Sequence, residues 1–520
     1  MKSPDGATVP TWIQSTSRPK HGPPPADLRT QVCVVGAGIA GLTTAYLLAR
    51  EGKSVVVLDE GPVGAGQTEQ TTAHLASAID DRFTEIEKHH GQDGSRLAYE
   101  SHAAAIDAIE RISRAEGIEC DFRRLDGFLF SVPKDPPDLL DKELAAAHRA
   151  GFTDAVKHER IRLCGYETGP CIRFPRQGRF HPLKYLFGLA GAIEKLGGKI
   201  YTGCRVKDVT GADPAKREPA RARIDDGPAA VLADAIVVAT NTPAPINDWM
   251  GIYTKQAAYR TYVIGAAVPR GSVDDALYWD TADPYHYVRL EGSPPNTPGR
   301  EGHELLIVGG EDHKTGQFHA GDAPFMRLET WAREKFPMIG EVKARWSGQV
   351  QEPADGVAFI GRAPTSKENV YVATGDSGMG MTHGTIAGLL ITDLILGRPN
   401  TWEKLYDPSR KMGLLNRDFV KENANVIAQY AELLTGGEVT SADDVRPGQG
   451  AVMREGLKKV AVYRDEAGAA HRCSAICTHL GCVVSWNHVE KTWDCPCHGS
   501  RFDPKGKVVM GPAIDDLSEA

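Results

Sequence analysis

Near the start of the chain, short apolar runs alternate with apolar residues at helical spacing. Gln31-Val-Cys-Val-Val35 is an apolar run of strand length. Residues 39–50 then repeat apolar positions one turn apart (Ile39, Leu42, Tyr46, Ala49), Gly52 stops the helix, and Ser54-Val-Val-Val-Leu58 forms a second strand. Two strands joined by one helix make the parallel pair of an α/β sheet. Residues 80–160 read as mostly helical, interrupted at Pro133, Pro136 and Pro137. A helix is predicted around 182–197, followed by strands near 200–209 and 221–240. The stretch 255–310 is rich in aromatic and β-branched residues, among them Tyr259, Tyr262, Tyr278, Tyr285 and Tyr287, and reads as antiparallel strands. Residues 357–397 return to a strand, a glycine-rich turn and a helix. An amphipathic helix over 413–434 places Leu415, Phe419, Val426, Tyr430 and Leu433 on one side and ends at Gly436-Gly437. A turn-rich stretch, 438–450, leads into a small β-rich tail.

This pattern divides the chain into an N-terminal arm (1–30) anchored by Trp12, an α/β body (31–412), a linking helix (413–437) and an all-β tail (438–520). Within the body, residues 80–160 and 245–345 form an antiparallel-sheet substrate subdomain. A length of 520 residues accommodates that number of units. The net charge of −8 argues against nucleic acid as a main partner. No apolar run is long enough to span a bilayer, and the arm from Met1 to Thr30 is polar and proline-rich without a secretory core. The expectation is therefore a cytoplasmic protein with no membrane span. Composition becomes informative at cysteine. Five of the ten (Cys33, Cys120, Cys164, Cys171, Cys204) are scattered and read as buried apolar residues, whereas five crowd into 473–497.

That crowded segment reads Cys477-Thr-His479-Leu-Gly-Cys482 and, further on, Cys495-Pro-Cys497-His498-Gly-Ser500. Each half offers one thiolate and one imidazole on a tight loop. Two cysteines and two histidines would also satisfy zinc, but zinc fingers keep the histidine pair together and here each half is mixed. The pattern therefore favours a two-iron cluster with both thiolates on one iron and both imidazoles on the other. Neutral imidazoles ease reduction and place such clusters at roughly −150 to +300 mV, against about −400 mV for all-cysteine plant-type clusters. The segment resembles the Rieske family, in the branch with two extra cysteines found in cytochrome bc complexes. The resemblance implies Cys477, His479, Cys495 and His498 as [2Fe–2S] ligands and a disulfide between Cys482 and Cys497. It also implies a hydrogen bond from the Ser500 hydroxyl to a cluster sulfide. The chain departs from the respiratory members at Phe502, where they carry a tyrosine, and the loss of that donor implies a lower potential. Cys473 fits no ligand position and is read as structural.

Gly36-Ala-Gly38-Ile-Ala-Gly41 lies between the first strand and the helix, and the second strand ends at Asp59-Glu60. In that setting the glycines form a dinucleotide fingerprint. Gly36 makes the turn, Gly38 admits the pyrophosphate to the backbone, and Gly41 lets helix and strand pack. Ile39 and Ala40 carry the helix N-terminus on which phosphates rest, and Asp59 or Glu60 reaches a ribose hydroxyl. Only one such fingerprint is present, which argues against a second nucleotide. Further segments resemble the FAD-dependent glycine/D-amino-acid oxidase family over roughly residues 30–400: Gly64-Ala-Gly-Gln-Thr68 with Thr71-Thr-Ala-His-Leu75, Ala235-Ile-Val-Val-Ala-Thr240, and Ala373-Thr-Gly-Asp-Ser-Gly-Met-Gly-Met-Thr382. The resemblance implies that Gln67, Thr68, Thr72, Ala73, His74, Val206, Ala239 and Thr240 join the FAD site. It implies that Gly378, Met379, Gly380, Met381 and Thr382 approach the ribityl chain and ring. His74 reads as a hydrogen-bonding spacer, with a covalent flavin link as the alternative.

On the substrate side the resemblance offers Arg289 and Tyr262 as a clamp for a substrate carboxylate, and no catalytic base is assigned. The resulting expectation is an oxidoreductase that takes a hydride from a small amine, N-methyl or amino-acid-like substrate onto FAD. Electrons then pass singly through the cluster to an external acceptor. Two alternatives stay open: a reductase running the current backwards from an external donor, and a non-catalytic redox sensor or carrier.

Overall fold

The computed structural model describes residues 6–25, 27–163, 166–225, 229–243, 251–291, 302–317, 321–364, 368–412 and 417–520. The expected strand–helix–strand unit is present as Leu28–Val35, Ile39–Arg50 and Val55–Asp59. It forms the middle of an eight-stranded sheet. Leu28–Val35 pairs in parallel with both Val55–Asp59 and Ala230–Asn241, and Lys199–Thr202 extends the first of these edges. Ala230–Asn241 is long enough to pair in parallel with Val370–Thr374 and antiparallel with Ala220–Ile224. Val34 and Val57 are fully buried, as expected of a sheet covered on both faces.

A second, nine-stranded sheet forms the roof. Its path runs Val342–Pro353, Gln256–Pro269, His303–Lys314, His286–Glu291, Leu277–Asp280, Arg123–Phe130, Cys171–Arg179. The strands are antiparallel except where Leu277–Asp280 meets Arg123–Phe130. The expectation of a mostly helical 80–160 holds for part of the segment and misses two strands. A long helix, Phe83–Ala115, bends at Gly91 (φ 69°), but Arg123–Phe130 and Val156–His158 are strands flanking the helix Leu139–Arg149. In Arg123–Phe130 the buried positions Leu125, Gly127 and Leu129 recur every second residue, the period of a strand.

The tail forms two small sheets, of three strands (Gln449–Glu455, Lys458–Arg464, Ala470–Ser474) and four (Ser485–Asn487 to Val508–Met510). The linking helix is described from Arg417 to Gln429 and closes in a 3-10 turn, Tyr430–Leu434. Val426, Tyr430 and Leu433 pack on the core of the tail, while Leu415 and Cys164 lie outside the described residues. Tyr430 also donates its hydroxyl to Leu480 O (2.6 Å). The N-terminal arm is held by Trp12, which is fully buried and donates Nε1–H to Thr71 O (2.9 Å). Among the described residues no helix is long and apolar enough to cross a membrane.

Candidate functional site

A cavity of about 360 Å³ runs between the two sheets. At one end its floor is the fingerprint turn. Gly36 has φ +111° and a Cβ there would collide with Ala239 O, while a Cβ on Gly38 would stand 2.9 Å from Thr68 Oγ1. No side chain of the capping residue closes the helix Ile39–Arg50 or the helix Gly380–Ile395, so both N-termini present first-turn N–H groups towards the cavity. Asp59 accepts from Ala37 N (2.6 Å) and Gly61 N (2.7 Å), and burial pushes its carboxyl up to about 7. Glu60 pairs with Arg205 (2.6 Å).

The cavity wall includes Gly36, Gly38, Ile39, Ala40, Asp59, Glu60, Gln67, Thr68, Thr72, His74, Val206, Ala239, Thr240 and the run from Gly378 to Thr382. Two expected residues are not on it. Gly41 stands behind the turn, where a Cβ would strike Gly36 O, so its smallness serves packing. Ala73 is fully buried with φ 57° and turns its methyl into the core. His74 has both ring nitrogens engaged, Nδ1 with the Thr72 hydroxyl (3.0 Å) and Nε2 with Val288 O (3.4 Å). Burial, then the Arg289 charge, lowers its pKa to about 3, so the ring is a neutral spacer. A glycine cradle that a Cβ would fill and two helix N-termini turned to the cavity, the first with Ile39 N held by Thr68 Oγ1 (3.3 Å), suit the pyrophosphate and ring of FAD.

The carboxylate clamp is not formed. Tyr262 points away from the cavity, its ring edge-on to Phe325 (4.9 Å) and stacked on His313 (5.4 Å). Its neighbour Thr261 faces the cavity instead, because successive side chains of a strand take opposite faces. Arg289 shares the face of Tyr287 but lies two residues further along. There its guanidinium bonds Thr72 O (2.6 Å) and covers the Trp12 ring (5.2 Å), so it supports the flavin loop from behind. The residues that do line the flavin-motif end are Thr261, Trp279, Tyr285, Tyr287, Asp80, Asp312 and Glu352.

In the tail, the two cysteine–histidine loops are built alike. Gly481 N donates to Cys477 O (3.0 Å) and Gly499 N to Cys495 O (3.1 Å), and both glycines have φ +78°. Cys477 N bonds Cys482 O (2.9 Å) and Cys495 N bonds Ser500 O (2.8 Å). Cys482 and Cys497 are joined by a disulfide. The thiols of Cys477 and Cys495 touch, and the rings of His479 and His498 stand 5.0 Å apart. His479 Nδ1 and Nε2 and His498 Nδ1 are buried with no hydrogen-bond partner. Unpartnered buried ring nitrogens beside two buried thiols suit a two-iron cluster. Ser500 accepts from Ala513 N (3.0 Å), which leaves its hydroxyl proton free to donate, and its side chain reaches Cys477. Phe502 is fully buried in the tail's core.

The tail is not a separate bead. Gly499 O accepts from Gln349 Nε2 (2.9 Å), and Gln349 lines the cavity. Tyr253 sets its ring edge-on to His479 (5.0 Å). Residues 508–511, Ala513 and Ile514 also complete the cavity wall, between Gln67, which reaches Met510 Sδ (3.5 Å), and Arg205, which donates to Val508 O (2.7 Å). Sequence reasoning missed this wall, because nothing local in Val508–Ile514 marks it as part of a distant nucleotide site.

Residues 31–394 match the family model described as FAD dependent oxidoreductase, and residues 437–519 match that of the Rieske [2Fe-2S] domain. The chain belongs to the FAD-dependent oxidoreductase family and carries a Rieske domain at its C-terminal end. It is accordingly an oxidoreductase that binds FAD and a [2Fe–2S] cluster. It is similar along its length to the Rieske 2Fe-2S iron-sulfur protein YhfW of Bacillus subtilis (strain 168): 32% identical over 517 residues, 98% of this chain and 96% of that protein. Gamma-glutamylputrescine oxidoreductase of Escherichia coli (strain K12) is 27% identical over 386 residues, 70% of this chain and 83% of that protein. The tail alone is similar to the cytochrome b6-f complex iron-sulfur subunit of Nostoc punctiforme, 56% identical over 61 residues, 12% of this chain and 34% of that one. Glycine oxidase from Geobacillus kaustophilus shares the fold of the body, with a TM-score of 0.61 at 18% identity over 74% of this chain and 100% of that one.

Proposed function

We propose that this oxidoreductase oxidises a small amine at FAD and releases the electrons singly through its cluster to an external acceptor protein. The observation that carries the reading is the seat of the cluster loop. The loop that bears His498 rests through Gly499 on Gln349, a residue of the FAD cavity wall. FAD supplies two-electron oxidation and the cluster one-electron transfer, so a fused pair suits a two-electron substrate and a one-electron partner. The residues proposed to hold FAD are those of the fingerprint turn, the 67–74 loop, Val206, Ala239-Thr240 and Gly378–Thr382. Those proposed to hold the cluster are Cys477, His479, Cys495 and His498. The chain's own work is to orient the substrate under the roof sheet and to exclude water, since positioning supplies most of what such an oxidation needs. The E. coli relative, named for an amine derivative of putrescine, supports amine chemistry.

The test is anaerobic mixing of the loaded protein with a panel of amines, N-methyl amino acids and NAD(P)H, following the flavin band at about 450 nm. Bleaching by an amine followed by cluster reduction is expected. Bleaching by NAD(P)H or a reduced carrier alone would overturn the direction, and no bleaching by any of them would favour the sensor. His498→Ala should keep substrate bleaching and lose turnover with a one-electron protein acceptor. Survival of that turnover would remove the cluster from the route.

A further inference from the structure

We propose that the flavin-motif end of the cavity selects a cationic amine that carries no carboxylate, with Asp312 and Asp80 as its counter-charge and Tyr285, Tyr287 and Trp279 as its aromatic walls. This rests on the amine-oxidation reading above and names the substrate class for that site.

The first argument is the charge on the wall. Among the described residues lining the cavity, the cation is Arg205. It stands at the far end, bound to Glu60 (2.6 Å) and to Val508 O (2.7 Å). The two lining histidines are neutral, His74 lowered to about 3 and His383 to about 4 by burial. Against this, Asp80 and Asp312 come from separate segments and converge on the same end.

The second argument is how these carboxylates are bonded. Asp80 accepts from the Tyr285 hydroxyl (2.8 Å), and its Oδ2 lies so close to Gly378 that a Cβ there would overlap it. This carboxylate therefore sits on the flavin loop itself. Glu352 lies 3.1 Å from the Ser377 hydroxyl, which also reaches Asp81 Oδ2 (2.8 Å), and burial beside Asp81, Asp80 and Asp376 holds its carboxyl well above the usual range, so it lines this end as a neutral acid. Asp312 takes a hydrogen bond from Thr261, whose hydroxyl also meets Tyr287 (2.7 Å), and its Oδ1 is buried with no partner. The hydrogen bonds come from neutral hydroxyls, which orient a carboxylate without neutralising it. Burial raises Asp80 to about 6 and Asp312 to about 7, the response of carboxyls that lack a nearby cation. An ammonium entering the cavity supplies that cation.

The third argument is the rest of the wall. The rings of Tyr285 and Tyr287 are 5.3 Å apart and tilted by 36°, and Tyr287 stands edge-on to His74 at 5.5 Å. Aromatic faces beside carboxylates attract alkylated ammonium groups, which a purely hydrated acidic pocket holds poorly. An amino acid in the same place would set its own carboxylate against Asp80 and Asp312, with no arginine or lysine among the described residues at that end to receive it. The displacement of Arg289 to the back of the flavin loop is the structural cause of that difference.

The test uses the full-length protein loaded with FAD and cluster. Binding is read from perturbation of the flavin spectrum and oxidation from anaerobic bleaching, with n-butylamine, its trimethylammonium analogue and γ-aminobutyrate as probes. Butylamine should bind at least about 100-fold more tightly than γ-aminobutyrate, the order set by like charges a few ångströms apart near a protein surface. The trimethylammonium analogue should bind and compete with butylamine. Asp312→Asn should weaken butylamine at least tenfold and narrow the ratio, and Asp80→Asn should act in the same direction if the first variant loses its flavin. Equal or better binding of γ-aminobutyrate, no perturbation by any amine at millimolar concentration, or unchanged affinity in both variants would overturn the proposal. Bleaching by amino acids but not amines would keep flavin oxidation and overturn the cation site. Tight amine binding without bleaching would keep the cation site and overturn the oxidation reading.

Discussion

Glu490 is the strongest single tie between the cluster domain and the rest of the molecule, and Glu490→Ala should loosen it measurably. The side chain is 2% exposed. Its carboxylate accepts from Thr8 Oγ1 (2.6 Å), from Thr8 N (3.1 Å) and from the Ser347 hydroxyl, and it stands 3.7 Å from the Arg260 guanidinium. Arg260 is 1% exposed and belongs to the roof sheet, and its Nε and one terminal nitrogen have no partner. Deleting Glu490 leaves a buried guanidinium without this carboxylate. Two unit charges at this separation in an effective dielectric near 20 interact by about 4.5 kcal/mol, and breaking buried pairs typically costs about 3–5 kcal/mol. Urea unfolding of the loaded protein, followed by tryptophan fluorescence, should therefore show the first transition destabilised by about 3–5 kcal/mol. Thr8→Ala keeps both charges but removes the hydroxyl's bond to the carboxylate and the one it accepts from Ser347 N (3.2 Å), and should cost about 1.5–3 kcal/mol. Transfer from reduced flavin to the cluster should slow in Glu490→Ala while substrate still bleaches the flavin. A Glu490→Ala protein within about 1 kcal/mol of the parent, with an unchanged transfer rate, would refute the claim that this buried pair holds the domains together.

Gly41→Ala puts a Cβ against Gly36 O inside the fingerprint turn, so the purified variant should lose its bound FAD, measured as the flavin-to-protein absorbance ratio. Burial raises Asp80 and Asp376 to about 6 and Asp59 and Asp312 to about 7, from an ordinary 3.8. Between about pH 4 and 7 each of these groups keeps in the folded chain a proton that the unfolded chain has lost, so its contribution to stability is lost as the pH rises through that window, while buried histidines such as His74, His313 and His383, lowered to about 3 to 4, contribute in the opposite sense. Thermal unfolding of flavin-free parent and Asp312→Asn against pH isolates one carboxyl: the stability of the parent relative to the variant should fall from pH 5 to 7, and a difference that climbs would contradict it. The disulfide closes a loop with a sequence separation of 15, worth about 3 kcal/mol in the chain-entropy estimate, so the double variant Cys482→Ser/Cys497→Ser should release iron and sulfide faster on mild heating. Phe502→Tyr should raise the cluster potential. A hydrogen bond stronger by about 1 kcal/mol to the reduced cluster corresponds to roughly 40 mV for one electron, readable by an EPR-monitored redox titration.

What could be read from the chain depended on whether the signal was local. The fingerprint turn, the second strand ending at Asp59 and the two cysteine–histidine loops are each written in one short contiguous stretch. Their glycines and ligand-type residues are required by one backbone conformation, so both sites are visible in order. The roof sheet is different. Gln256–Pro269 is buried on both faces over nearly its whole length, so no polar–apolar alternation tells which side meets the cavity. Tyr262 and Thr261 are neighbours with opposite fates, and an aromatic residue reads as the better candidate from composition alone. Arg123–Phe130 failed for a related reason: a glycine stands at one of its buried positions and the apolar Phe128 at an outer one, so the apolar residues alone do not trace the two-residue period of burial.

The domain interface was illegible because it is polar. Nothing local marks Gln349, Gln317, Arg260 or Glu490 as junction residues, and each is half-buried or buried with a partner across the junction. Gln317 donates to Pro496 O (3.1 Å), Gln349 to Gly499 O (2.9 Å), and Arg260 faces Glu490. A polar junction of this kind is specific, because a misplaced domain would leave these groups unsatisfied and buried. It also fixes which side of the two cysteine–histidine loops faces inward. His479 lies against Tyr253, and the loop of His498 rests on Gln349, so the imidazole side is turned to the flavin body. The same cysteine–histidine motif on a free domain would carry the same spacing. Only the buried polar partners distinguish a cluster docked on its own flavin body from one that docks elsewhere, and those partners lie on roof-sheet segments far along the chain from the motif they orient.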